Sequence, residues 1–426
     1  MKNLTLLTFL IVSLLIGCSK NEDFNEEILD PTSSQDDQAS TTSFSVIDNG
    51  ITWKTTGGAI IKAQGGNIYR ENGVLHWFGH DFTNGTNFNA VNHYTSTNLS
   101  TWTNAGPAFS STSYSPSIGL QGNGGAHPFD GKFLGRPFVM KNSAGTYVMI
   151  VSFDSPSTAA RNTYTFLTAT NINGPWTYDT AKNIYNLDDA NGNPSSLGDL
   201  GAYYDNSTGK GYLVYTYDEG VLKGGTYTNK FNGIRKLNST LTAPLLATGA
   251  LVQFVKVGSQ SDAGGGGREA ASIFKRGNYY YHTSSGTSGW NGSVTWYRTA
   301  TALPEPGVTF TSNPANWSTF RPMPTSPSSN TSYDTQHDQI VGLGNDLYLY
   351  CGDRWPDSRE PEGHSIGPGG ASAEHPWPSR NGWFPLSFAP STIAGEAPVP
   401  TLNAPNYGVN GGDWQVNLTT GDWQPL

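Results

Sequence analysis

Ile68-Tyr69-Arg70-Glu71-Asn72-Gly73-Val74-Leu75-His76-Trp77-Phe78 decides the fold of this 426-residue chain. Asn72-Gly73 tolerates the positive φ that a tight hairpin turn demands, and the flanking residues suit strands whose side chains alternate between faces. The same phrase returns four more times: an apolar stretch, a turn rich in Gly and Asn, then an alternating aromatic stretch. The copies run from Phe138-Val139-Met140 to Met149-Ile150, from Ala202-Tyr203-Tyr204 to Val214-Tyr215, from Ile273-Phe274-Lys275 to Tyr281-His282 and from Ile340-Val341-Gly342 to Leu349-Tyr350. They recur at roughly 64 to 71 residues, a spacing of the kind that marks repeat architectures. Just upstream of each copy stands a polar residue: Gln64, Arg136, Asp199, Glu269, and the run Gln336-His337-Asp338. Five hairpins in one phase would bring those residues to one place.

Composition agrees with strands and turns. Only 13% of residues are charged, and the chain holds 51 Gly, 26 Pro, 12 Trp, 21 Tyr and 19 Phe; long helices are disfavoured. Five repeats of four strands account for nearly all of the chain beyond its N-terminal region. The expected fold is all-β, a five-bladed β-propeller over residues 45–426, because closing the ring buries every sheet face and leaves short edges. A last hairpin, Trp414-Gln415-Val416-Asn417 with Thr420-Gly421-Asp422-Trp423, is expected to close the final blade or pack beneath it.

The N-terminal segment reads differently. Lys2 followed by an apolar run from Leu4 to Ile16 is the pattern of a signal peptide over residues 1–17, too short to span a bilayer as a stable helix. Leu15-Ile16-Gly17-Cys18 resembles a bacterial lipobox, which makes Cys18 the lipidated first residue of the mature chain. Residues 18–44 form an acidic, Ser- and Thr-rich tether. The expected location is the outer membrane of a Gram-negative bacterium, on the cell surface or the periplasmic face, with the lipid as the sole membrane contact and the protein a monomer. Net charge is −9, and the acids concentrate in the tether, so nothing offers a basic surface to nucleic acid. Cys351, the other cysteine, is expected to be an inert strand thiol.

In a propeller the innermost strand of each blade lines the central channel. Glu269 follows Gly264-Gly265-Gly266-Gly267-Arg268 and precedes an apolar strand; poor solvation there raises a carboxyl's pKa and suits a general acid. Asp199 stands in the same phase one blade earlier. Two carboxylates facing one pocket are what glycoside hydrolysis requires, and aromatic side chains stack on the apolar faces of sugar rings. Trp290-Asn291 and Arg354-Trp355 lie at hairpin ends and are candidate substrate contacts, with Gln64, Arg136 and Arg268 beside them.

Arg268-Glu269-Ala270-Ala271, Tyr279-Tyr280-Tyr281-His282-Thr283-Ser284-Ser285-Gly286 and Gly289-Trp290-Asn291 together resemble glycoside hydrolase family 43, and most nearly its exo-β-1,3-galactanase subgroup. Asp199 with Tyr203-Tyr204-Asp205 and Asp353-Arg354-Trp355 with Trp383-Phe384-Pro385-Leu386 extend the likeness over roughly Gly57 to Phe388. The resemblance implies a five-bladed propeller and an exo-acting, inverting hydrolase of a β-linked galactan or related plant or algal polysaccharide. Glu269 would be the general acid and Asp199 the carboxylate that holds substrate and tunes the acid. Typical members carry a base aspartate in Asp-Pro-x-Ile, where this chain has Gly65-Gly66-Asn67-Ile68. The galactanase subgroup lacks it too and uses a fifth-blade Gln; the match here is His337 without a gap or Gln336 with a one-residue shift. Asp338 and Asp334 are further candidates for the base. The typical family places at this point a His that helps hold a cation, so a structural Ca2+ in the channel is a further expectation, with no other cofactor required.

Two more pocket acids of the subgroup are replaced, by Gly135 before Arg136-Pro137 and by His80. A pocket with fewer carboxylates would better tolerate an anionic sugar. The competing readings are a non-catalytic glycan-binding lipoprotein, which has no need of Glu269, and an α-L-arabinofuranosidase or β-xylosidase, against which the missing first-blade aspartate weighs.

Overall fold

The computed structural model describes residues 43–84, 87–111, 129, 132–154, 162–184, 187, 196–219, 229–245, 268–286, 291–305, 317–355 and 380–426. The signal peptide, Cys18, most of the tether and Trp290 lie outside the described residues.

All five predicted hairpins form. Their first strands are Gln64–Glu71, Leu134–Lys141, Ser196–Asp205, Arg268–Arg276 and Gln336–Gly344, each paired antiparallel with the strand that follows it. Asn72 and Gly73 sit at φ 50° and 80°, and Asn345 and Asp346 at 50° and 58°, the left-handed pairs that tight hairpins need. Each hairpin grows outward into its own sheet. Blades 1 and 4 have four strands, blade 5 has five, and blades 2 and 3 show three each among the described residues. The first strands pack side by side from blade 1 to blade 5, and the fifth returns to the first. The chain is therefore an all-β, five-bladed propeller, with these strands innermost.

Period-two alternation explains the closure. Trp77 and Phe78 are neighbours in sequence but face opposite sides of blade 1. Trp77 joins the apolar layer shared with blade 5, beside Leu349 and Trp383, whereas Phe78 joins the layer shared with blade 2, beside Met149 and Val151. Likewise Leu213 and Val214 in blade 3, and Tyr280 and Tyr281 in blade 4, each serve two different interfaces. Five interblade layers result, and each strand supplies two of them. The tryptophans are spent mainly here: Trp77, Trp102 and Trp383 form an edge-to-face group with centroids 4.5 to 5.7 Å apart.

The terminal hairpin does not join a blade. Trp414–Val416 pairs with Ser45–Ile47 near the N-terminus, and Trp423–Pro425 completes a separate three-stranded sheet. Trp414 donates its indole N–H to the Trp383 carbonyl at 2.8 Å, so this sheet covers the seam between blades 5 and 1. Cys351 is buried in blade 5, and burial pushes its thiol well up, which keeps it unreactive.

Candidate active site

Every inner strand carries a one-residue bulge at the same height. The register slips between Gln64 and Asn67, Gly135 and Phe138, Glu269 and Ser272, and His337 and Gln339; in blade 3 it slips between Tyr215 and Tyr217, opposite Leu200 and Leu197. A bulge re-aims side chains, and bulges gather at sites for that reason. Gly65, Arg136 and Ala270 within them take φ of 61°, 47° and 53°. For Arg136 and Ala270 this is a sparsely populated region that only a well-packed surround maintains.

The bulges open onto a cavity of about 210 Å³, lined by Gln64, Gly65, His80, Phe82, Phe133, Gly135, Arg136, Asp199, Glu269, Gln336 and Trp355. Of the candidates read from sequence, Gln64, Arg136, Asp199, Glu269, Gln336 and Trp355 meet here. Counted back from the end of each bulge, Gln64, Glu269 and Gln336 share one position, while Asp199 and Asp338 share another two residues on. Arg136 stands between them, so the common phase expected of all five blades is three adjacent positions at the channel.

Glu269 is buried on the wall. Gln336 donates Nε2–H to Glu269 Oε1 at 2.9 Å, and Trp355 donates its indole N–H to Gln336 Oε1. An indole can only donate, so it dictates which end of the Gln336 amide faces Glu269. Glu269 Oε1 is thereby fixed as an acceptor.

Arg136 is the ionic centre. Its Nε lies 3.2 Å from Asp199 Oδ1 and its Nη1 2.9 Å from Asp338 Oδ1. Asp353 adjoins Asp338 behind the wall and accepts the Gly65 N–H at 2.6 Å. Burial pushes the Asp338 carboxyl up to about 7 against the pull of Arg136, and Asp353 is pushed up too, by burial first and the Asp338 charge second. An acid whose folded pKa exceeds its unfolded value holds a proton that the unfolded chain has released. Its contribution to stability is present below the unfolded value of 3.8 and is lost as pH rises toward the folded one. Asp353→Asn removes one member of the pair. Its melting temperature should fall less between pH 5 and pH 8 than that of the native protein; parallel curves would reject the pairing.

The other candidates are placed elsewhere. His337 is fully buried, with Nδ1 2.8 Å from the Ala270 carbonyl and Nε2 3.0 Å from the Thr283 hydroxyl. Burial holds its ring down at about 3. With both nitrogens engaged and no surface on the cavity, it braces blade 4 against blade 5 instead of meeting a water there. Arg268 is buried with its guanidinium 3.9 Å from the Trp296 ring, on blade 4 itself. Arg354 reaches the Asn49 and Gly411 carbonyls and ties the terminal segments to blade 5. Asn291 is half-buried and off the cavity wall, and Asp334 accepts from Thr331 and Tyr407 away from it. For a channel cation, no group of three or more His, Cys, Asp or Glu side chains suited to a metal occurs among the described residues. Arg136 supplies the positive charge between Asp199 and Asp338.

Sequence reasoning missed Phe82 and Phe133, which pack with Trp355 as an aromatic side of the cavity. Neither lies on a repeated inner strand, so the five-fold phrase carried no signal for them. A Cβ on Gly135 would stand 2.9 Å from the Phe133 ring; the ring fills the space a side chain there would use.

Among solved structures, the chain is similar to a variant of the exo-β-1,3-galactanase from Phanerochaete chrysosporium with β-1,3-galactotriose, at 24% identity and TM-score 0.62 over 89% of this chain and 70% of that one. It is similar to the exo-β-1,3-galactanase from Clostridium thermocellum at 22% identity and TM-score 0.62, over 89% and 68%. A family-43 β-1,3-galactosidase with galactodeoxynojirimycin matches at 17% identity and TM-score 0.59, over 83% and 98%. At these identities what is shared is the fold. No protein-family model and no curated protein matches the chain.

Proposed function

We propose that the protein is an exo-acting, inverting glycoside hydrolase that removes terminal sugars from a β-linked galactan. The observation that carries this reading is the single-sugar-sized cavity at the channel mouth, with Glu269 on its wall and one oxygen of that carboxyl committed to Gln336. A carboxyl that accepts on Oε1 carries its proton on Oε2 and delivers it from there. Glu269 protonates the glycosidic oxygen as the C–O bond breaks, and water adds at the anomeric carbon from the opposite face. Asp199, ion-paired to Arg136, accepts hydroxyl hydrogen bonds from the sugar and holds it. Gln336, not His337, lies on the cavity wall, where its amide holds the Glu269 carboxyl in orientation. Trp355, Phe82 and Phe133 offer the apolar surface on which a sugar ring stacks. The solved galactanases and galactosidase of the same fold support this substrate class. Lipidation at Cys18 would hold the enzyme at the outer membrane, where polysaccharide arrives.

Proton NMR of the reaction on β-1,3-galactan tests the reading. Galactose should appear first as the α-anomer and then mutarotate. Release of β-galactose, or of oligosaccharides from within the chain, would contradict it. Intact binding with no turnover would favour the glycan-binding alternative.

A further inference from the structure

Gln64 and His80 stand directly opposite each other on the first hairpin, and both line the cavity. They are 1% and 0% exposed. Gln64 Nε2 and both ring nitrogens of His80 have no hydrogen-bond partner among the described residues. Three unpartnered polar atoms on two facing residues are costly in a folded chain, and such groups persist where something else satisfies them. Burial pushes the His80 imidazole down to about 4, so the ring is neutral at neutral pH, with one donor and one acceptor. A hydroxyl group, which donates and accepts at once, is its natural complement. Aromatic rings pack beside it: the Phe82 ring centroid lies 4.2 Å away and that of Phe133 6.1 Å.

The charge of the cavity points the same way. Its wall carries the Asp199 carboxylate and the proton-bearing Glu269 carboxyl against one guanidinium. That guanidinium is engaged by Asp199 and Asp338, with Asp353 behind. Arg268, the other cation near the channel in sequence, lies on Trp296. The acids missing relative to the galactanase subgroup are replaced by a neutral ring and a phenyl ring, not by cations. A sulfate or uronate entering this cavity would lose its hydration and meet, on the wall, only a guanidinium already ion-paired to Asp199 and Asp338.

We propose that His80, with Gln64 opposite it, reads a hydroxyl of the terminal sugar, and that the cavity admits an uncharged sugar while excluding a sulfated or uronic one. This reverses the expectation, drawn from the missing acids alone, that an anionic sugar is better tolerated. It rests on the glycosidase reading.

The test is calorimetric titration of the Glu269→Gln protein with β-1,3-galactobiose, with its analogue 6-sulfated on the terminal residue, and with one ending in galacturonic acid. The neutral disaccharide should bind at least about tenfold more tightly than either charged one. Adding His80→Phe should weaken galactobiose binding about tenfold with an unchanged or raised melting temperature, since the lost nitrogens have no partner among the described residues. His80→Gln, which keeps a donor and an acceptor, should recover part of the loss. Equal binding of charged and neutral disaccharides overturns the inference, as does full binding by the His80→Phe variant. If the wild type hydrolyses galactobiose without such discrimination, this inference alone fails. If galactobiose is neither bound nor hydrolysed, the galactan reading fails and takes the inference with it.

Discussion

Glu269→Gln is expected to lower kcat on galactan by about 10² to 10⁴-fold, the usual worth of a general acid, while the dissociation constant for β-1,3-galactobiose hardly moves. The amide has the same size, and its oxygen can still accept from Gln336 Nε2, so the cavity keeps its shape. Only the transferable proton is lost. The comparison that isolates it is a substrate whose leaving group departs as a stable phenolate and needs no proton. Dinitrophenyl β-galactoside should be hydrolysed by the variant at a rate much nearer to that of the wild type. Steady-state kinetics on both substrates decide the matter. An equal loss on both would mean that Glu269 holds the substrate or the structure instead of donating the proton.

Arg136→Met is expected to cost about 3–5 kcal/mol of stability, the range for removing one partner of a buried ion pair. The aliphatic stem is retained, so packing changes little. Asp338 and Asp353 are left buried without their cation, and Asp199 loses its partner at the cavity wall. Denaturant unfolding at pH 7.5 measures the cost, and the Arg136→Met, Asp338→Asn double variant should recover a good part of it because the two sites are coupled. A loss below about 1 kcal/mol would show that the acids simply take up protons, and that Arg136 is not the group holding the channel together. The loss should also shrink at pH 5.5, where Asp338, with its value near 7 in the native protein, is already protonated.

Much of this molecule is written locally. Ile68 to Phe78 already contains a left-handed turn pair and two strands whose alternate residues want two different partners. Five such phrases, evenly spaced, leave the closed propeller as the arrangement that buries both faces of every sheet. Glu269, Asp199 and Gln336 were legible because each stands in the opening residues of a repeated strand. His337 and Arg354 were equally visible, and the structure puts them to other uses. His337 stands at the bulge position that Arg136 takes in blade 2, but the Ala270 carbonyl and the Thr283 hydroxyl of blade 4 engage both of its nitrogens. Arg354 follows the fifth hairpin just as Trp355 does, yet it turns toward Asn49 and Gly411.

The sequence by itself determined the blade count, the strand ends that meet at the channel and the carboxylates among them, because period-two alternation and turn chemistry act between near neighbours. Only the tertiary structure decided which of those polar residues face the cavity, since that depends on bulge register and on contacts far along the chain. Gly65 meets Asp353 across 288 positions and Arg136 meets Asp338 across 202. No local pattern encodes such pairs; burial and charge select them once the ring has closed.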